Sequence, residues 1–334
     1  MAKSWMFAVA ILSVATATPA QADRETEQFT SITVFGDSLV DAGNYYIAID
    51  GAMPDPALGY HQNRFTNGFN YPDLLSLDLF GVPTTPSLLG GNNFAFAAAR
   101  IVDTGDSIPD LQAQLSAFEA SDLGVDPNGL YIMNLGANDV FGALGVFGTD
   151  GALGSYPDVS TYLQAAAEQY VAGVQTLFEL GARNILMTDF PLAGDPLTIQ
   201  ANTYFDAELA NLALSDDTDF LFYSLSDFNQ SVLTDPASYG LPPLRTDTTC
   251  IAAGAQATGC AGFFSFDGVH PTAAVQAAGY RDMNQQFGLT AVQAVPEPAS
   301  WAMMCIGFGV LGAALRYRRR STTAMQFRSG ALAG

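Results

Sequence analysis

The chain has 334 residues, 49% of them hydrophobic, with a formal charge of −21, three cysteines and two histidines. Between Asp23 and Val295 there are 32 acids against 6 arginines and no lysine, a net of −26. That field disfavours nucleic acids and anionic membrane surfaces as partners. The two histidines leave little material for a metal site, and no His/Cys cluster at ligand spacing occurs, so neither a metal nor another cofactor is expected.

The first 22 residues read as an export signal: Lys3 is the basic start, Trp5 to Ala15 the apolar middle, and Ala20-Gln21-Ala22 a small-residue cleavage site. Residues 23–290 then have the length of one large α/β domain. Its first strand is expected over 31–35, running into Gly36-Asp37-Ser38-Leu39-Val40-Asp41-Ala42-Gly43-Asn44. A helix is expected just after Ser38. Ser38 therefore falls at the carboxyl end of a strand, the edge where open α/β sheets do chemistry. Backbone N–H groups at a helix start can hold a developing oxyanion there. Gly105-Asp106-Ser107 repeats the tripeptide without a strand before it and with Pro109 after it, and reads as a loop.

Further strands are expected over 130–135, 184–188 and 219–223, and helices over 108–120, 160–180, 199–214 and 272–287. This alternation points to a mostly parallel sheet. Asn138, in Gly136-Ala137-Asn138-Asp139, follows the second strand and can present its amide to the same edge as Ser38. The glycine-rich run 142–154 reads as a mobile loop. Phe141, Leu144 and Phe147 there either pack the loop down or help an acyl chain bind.

A serine hydroxyl needs a general base, and histidine titrates in the right range. His61 lies in a polar loop without a carboxylate at matching spacing and reads as exposed. His270 lies in Asp267-Gly268-Val269-His270-Pro271-Thr272, where Asp267 can reach the imidazole from the same loop. Cys250 and Cys260 bracket a short segment just before it. In an exported protein they are expected to close a disulfide rather than to stay as free thiols.

Taken together these blocks resemble the GDSL-type, or SGNH, serine esterases and lipases, whose ordered blocks carry Ser, Gly, Asn and His. The matches are Gly36-Asp37-Ser38-Leu39, Gly136-Ala137-Asn138-Asp139 and Asp267-Gly268-Val269-His270, and Arg64-Phe65-Thr66-Asn67-Gly68 is similar to a loop of the larger secreted members. The resemblance implies a flavodoxin-like, three-layer α/β/α fold. It also implies a Ser38–His270–Asp267 triad and an oxyanion hole from the N–H groups of Ser38 and Ala97 and the Asn138 amide. Two positions depart from the pattern: Ala97 stands where the family has an oxyanion-hole glycine, and Phe266 where many relatives have tryptophan. No Gly-x-Ser-x-Gly elbow of the rival hydrolase architecture is present.

At the other end, Val295-Pro296-Glu297-Pro298, the apolar stretch Ala299 to Leu315 and the cluster Arg316-Tyr317-Arg318-Arg319-Arg320 resemble a PEP-CTERM sorting signal over 295–320, with a polar tail over 321–334. Such a segment implies transient membrane anchoring, cleavage by an exosortase-type enzyme and export from a Gram-negative bacterium. The expected substrate is a lipid acyl or other neutral ester. An O-acetyl group on an exopolysaccharide is the alternative, and a non-catalytic matrix protein on the same fold is a third reading.

Overall fold

The structure is a computed structural model that describes residues 29–103, 105–146 and 151–290. The expected export signal, sorting segment and polar tail, and Phe147, lie outside these residues. Among the described residues no helix is long and apolar enough to cross a membrane.

In chain order the elements are β1 (Ile32–Gly36), α1 (Asn44–Ala48), α2 (Tyr71–Phe80), α3 (Leu111–Glu119), β2 (Leu130–Asn134), α4 (Ala137–Ala143), α5 (Gly151–Gly154), α6 (Val159–Leu180), β3 (Asn184–Thr188), α7 (Pro196–Leu209), β4 (Asp219–Tyr223), α8 (Leu225–Thr234) and α9 (Ala273–Phe287). The four strands pair in parallel in the order β1-β2-β3-β4, with Ile32 opposite Leu130 and Leu130 opposite Asn184. An extended segment, 92–96, adds to the free edge of β1: Val34 donates to Asn92 O at 3.0 Å and Phe94 to Val34 O at 2.7 Å. The chain therefore steps outward from β1 to segment 92–96, then crosses back to β2 on the other side. That reversal makes the carboxyl ends of β1 and β2 the switch point, where doubly wound sheets open a crevice.

The sheet is covered on both faces, which is why its strands read as near-continuous apolar runs. Phe35, Tyr131, Met133, Ile185 and Met187 enter a core with α3, α6 and α7. Ile32, Val34, Leu130, Ile132 and Leu186 enter a second core with α2, α8 and α9. This is the three-layer α/β/α arrangement. Helix α6 shows the cause locally: Tyr162, Leu163, Ala166, Ala167, Tyr170, Val171 and Val174 recur at spacings of three and four and are all buried. Asp158 caps its first turn by accepting from Thr161 N at 2.8 Å, and Gly181 ends it at φ 112°.

Three expectations change. No helix follows Ser38 directly: a single turn closes from Asp41 N to Asp37 O, and α1 begins only at Asn44. The run 142–154 is not all loop, because α4 extends to Ala143 and residues 151–154 are helical. Helices α2 and α8 were not expected. The mark of α2 is its cap rather than an apolar period, Asn70 accepting from Asp73 N with Pro72 in the first turn, whereas α8 carries both a cap, Ser224 accepting from Asp227 N, and an apolar period at Leu225, Phe228 and Val232.

Candidate active site

Gly36 ends β1 with its ordinary extended backbone, so positive φ is not why glycine stands there. A Cβ at this position would lie 2.7 Å from Asn134 O and 2.2 Å from Val40 Cγ2, so the residue is glycine because β1 and β2 close on it. The chain then turns tightly, with Leu39 N donating to Asp37 Oδ1 at 2.9 Å, and Ser38 projects over the crevice.

Ser38 and His270 are 232 positions apart in sequence, yet His270 Nε2 lies 2.7 Å from Ser38 Oγ. His270 Nδ1 lies 2.6 Å from Asp267 Oδ2. The other oxygen, Oδ1, accepts from the backbone N–H groups of Val269 and His270, both at 2.9 Å. Burial pushes the Asp267 carboxyl up, but His270 and these backbone donors outweigh it and hold the group at about 2. A permanently ionised carboxylate on Nδ1 keeps the proton on that nitrogen and leaves Nε2 to accept from the serine.

Sequence reasoning missed Tyr60, whose hydroxyl donates to Asp267 Oδ2 at 2.8 Å. It lies beside the Arg64–Gly68 motif, and that motif builds the histidine's seat. The Phe65 ring lies 5.1 Å from the His270 ring, Thr66 Oγ1 donates to Pro271 O at 2.8 Å, and Asn67 Oδ1 accepts from Ala273 N at the start of α9. Arg64 anchors the motif through a buried ion pair with Asp73 at 2.8 Å. From the other side, Cys250 and Cys260 form a disulfide beneath Phe263 and Phe266. Ile251 N donates to Phe266 O, and Phe266 N to His270 O, at 2.9 and 2.8 Å. Phe266, in the place of the family's tryptophan, packs edge-on against Tyr60 at 4.9 Å.

The oxyanion side requires a correction. The N–H of Ala97 donates to Asp41 Oδ2 at 3.0 Å, so it is already committed inside the protein. The next residue, Ala98, is exposed and holds φ 67°, and no acceptor among the described residues takes its N–H. The Ser38 N–H is likewise without a protein acceptor. Asn138 sits in the first turn of α4, and one N–H of its amide donates to Ala99 O at 2.9 Å, which ties it to this loop. The segment is clamped at both ends by buried carboxylates, Asp41 at Ala97 and Asp139 at Ile101 N (2.9 Å) and Val102 N (3.3 Å). Burial raises both: Asp41 to about 6, against the pull of its backbone donors, and Asp139 upward by the same cause.

The remaining candidates fall elsewhere. Ser107 is exposed in a loop. His61 is half-buried rather than exposed, its ring edge-on to Phe69 at 4.7 Å, and desolvation, then the Arg64 charge, lower its pKa. Among the described residues no group of His, Cys, Asp and Glu is placed to hold a metal ion. A cavity of about 480 Å³ opens beside Ser38 and Asn138, walled by Leu39, Phe141, Leu225, Phe228, Val275 and Met283.

This geometry can be set beside that of known proteins. A GDSL esterase/lipase of Arabidopsis thaliana, At4g28780, is 29% identical over 224 residues, covering 56% of this chain and 59% of that protein. Another from the same plant, GDSL esterase/lipase LTL1, is 32% identical over 190 residues, or 46% and 51% of the two chains. Lipase 1 of Photorhabdus luminescens is 26% identical over 195 residues, 58% of this chain and 26% of its own. The chain thus spans only part of each of these relatives. The family model for the PEP-CTERM protein-sorting motif matches residues 294–320. The model for the GDSL-like lipases and acylhydrolases matches residues 32–281, from the first residue of β1 to the middle of α9, and so takes in Ser38, Asn138, Asp267 and His270. The chain is a member of the GDSL-like lipase/acylhydrolase family.

Proposed function

We propose that this chain is an exported serine-dependent carboxylic-ester hydrolase. The observation that carries the reading is the continuous relay from Ser38 Oγ to His270 Nε2 (2.7 Å) and from His270 Nδ1 to Asp267 Oδ2 (2.6 Å), at the mouth of an apolar cavity. Ser38 attacks the ester carbonyl as His270 takes its proton, and Asp267 stabilises the imidazolium. The N–H groups of Ser38 and Ala98 and the free N–H of the Asn138 amide receive the oxyanion. His270 then protonates the departing alcohol. In the second half it deprotonates a water, which releases the acid and restores Ser38.

Ala98 takes the place first given to Ala97, and a free donor at that position removes the reason for reading the chain as a non-catalytic matrix protein. The cavity also favours a lipid acyl or other neutral ester over an O-acetyl group. Its volume, about 480 Å³, is room for roughly sixteen water-sized groups, far more than a methyl needs. The motif over 294–320 supports transient anchoring of the precursor in the inner membrane, processing near Pro296-Glu297-Pro298 by an exosortase-type enzyme, and release outside a Gram-negative cell.

The test is turnover of p-nitrophenyl esters of rising chain length and of acetylated xylan, with fluorophosphonate labelling of the serine. Ser38→Ala is expected to lose both turnover and label while keeping its fold. Hydrolysis that persists in that variant would overturn the assignment, and release of acetate from xylan alone would restore the polysaccharide reading.

A further inference from the structure

The cavity beside Ser38 is lined mainly by apolar side chains; Thr246 to Thr249 line it at exposed or half-buried positions, Asn229 and Gln276 are buried polar groups in its wall, and Asn134 lies on its floor. Along β2, Tyr131 and Met133 face one core while Leu130 and Ile132 face the other. The two-residue period puts Asn134 on the second face, under α2, α8 and α9, where an aliphatic side chain would continue the core. Asn134 is 0% exposed and lines the cavity, and neither its Oδ1 nor its Nδ2 has a hydrogen-bond partner. Tyr71, at the start of α2, lines the same cavity at 3% exposure, and its hydroxyl is unpartnered too. Leaving three such atoms unmatched in an interior is costly, and native proteins seldom do it without a use.

The chemistry of the floor narrows what can use it. The Asn134 amide offers one acceptor and two donors, and a phenol can give or take. A carboxylate only accepts, which leaves Oδ1 unmatched, and it would also enter a domain with a net charge of −26. An ammonium only donates, which leaves Nδ2 unmatched. A neutral hydroxyl does both at once. Asn229 on the α8 wall offers less, because one N–H of its amide already donates to Pro191 O at 2.9 Å, leaving Oδ1 and a single N–H. Asn134 also pairs in register with Gly36, two residues before Ser38, so the floor lies near the reacting end of the cavity.

We propose that this cavity selects acyl groups bearing a hydroxyl close to the ester carbon, the hydroxyl donating to Asn134 Oδ1 and accepting from Asn134 Nδ2 or the Tyr71 phenol. The proposal rests on the reading of Ser38 as the nucleophile of an ester hydrolase. It makes the favoured substrates esters of hydroxy acids rather than of plain fatty acids. The apolar walls carry the remaining alkyl chain.

Matched ethyl esters of octanoic, 2-hydroxyoctanoic and 3-hydroxyoctanoic acid test it on the full chain. For the wild type, kcat/KM for at least one hydroxylated ester is expected to exceed that for octanoate by about tenfold, and Asn134→Leu should bring that ratio to one or below. Tyr71→Phe should lower the same ratio, which gives a second reading if the leucine variant does not fold. Equal or slower wild-type turnover of both hydroxylated esters would overturn the selection and leave the hydrolase reading standing. An absence of turnover on all three esters would overturn both.

Discussion

Asp41 Oδ2 accepts the N–H of Ala97 at 3.0 Å, and this bond takes up the backbone donor that the sequence pattern assigns to the oxyanion. By holding Ala97 inward, it turns the chain through φ 67° at Ala98 and leaves that N–H free. An L-residue in the left-handed region is strained by about 1–2 kcal/mol, and glycine gives back part of the relief through its unfolded-state entropy. Ala98→Gly is therefore expected to gain up to about 1 kcal/mol in urea unfolding with turnover retained, whereas Ala97→Gly should gain nothing. Equal effects at the two positions would mean that the donor loop is not strained where its backbone indicates.

The same pair marks how far sequence reaches. All four strands fall within a residue of expectation, because each is a short apolar run buried on both faces. Ser38, Asn138, Asp267 and His270 were legible because each sits in a short block next to a recognisable element. Ala97 and Ala98 differ by one step, and only backbone dihedrals tell them apart. The link from Tyr60 to Asp267 spans 207 positions, and no local pattern announces it. Helix α2 was missed because Leu74, Leu75, Leu77, Leu79 and Phe80 show no helical period, so its ends alone declare it.

Asn138→Ala removes a bond to Ala99 O and, on the proposed mechanism, a side-chain donor to the oxyanion. Loss of one such donor typically costs about 10²–10³ in turnover. The expected result is a fall of that size in kcat with KM little changed, read by steady-state kinetics on a p-nitrophenyl ester. A change confined to KM would place Asn138 in substrate binding instead.

Asp267→Asn should lower kcat by about 10⁴, since the neutral amide can stabilise the wrong imidazole tautomer. Tyr60→Phe leaves that carboxylate in place and removes only one of its donors, so a loss of roughly tenfold is expected. The carboxyl is held at about 2 in the fold, below its usual value. Its contribution to stability is then complete above about pH 4 and is lost as pH falls toward 2. Urea unfolding of the wild type and Asp267→Asn should converge over that interval.

Removing the Cys250–Cys260 disulfide, by reduction or as the double serine variant, frees the segment that carries His270. A loop this short is expected to contribute about 2–3 kcal/mol. Because Ile251 and Phe266 are bonded through the backbone, the loss should appear in turnover as well as in stability. Thermal unfolding and ester hydrolysis with and without reductant check it, and unchanged kcat in the reduced protein would separate the disulfide from the site.

Asp37 is fully buried next to Ser38, and its Oδ2 has no partner among the described residues. Desolvation raises it to about 7; the Leu39 N–H opposes this, and Asp139 and Asp41 add to the rise. The sign follows from proton counting. The unfolded chain gives up this proton near pH 4 and the folded chain near pH 7, so between those values the folded state holds more protons and stability falls as pH rises. The full shift corresponds to a loss on the order of 4 kcal/mol, complete above about pH 7. Asp41, raised to about 6, acts in the same direction over the lower part of the window. Asp37→Asn keeps an oxygen for the Leu39 N–H and cannot ionise, so it is expected to unfold at higher urea than the wild type at pH 8 and to lose that advantage at pH 4. A wild type that gains stability from pH 5 to pH 8, as a protein dominated by paired surface carboxylates would, runs against the buried acid beside Ser38.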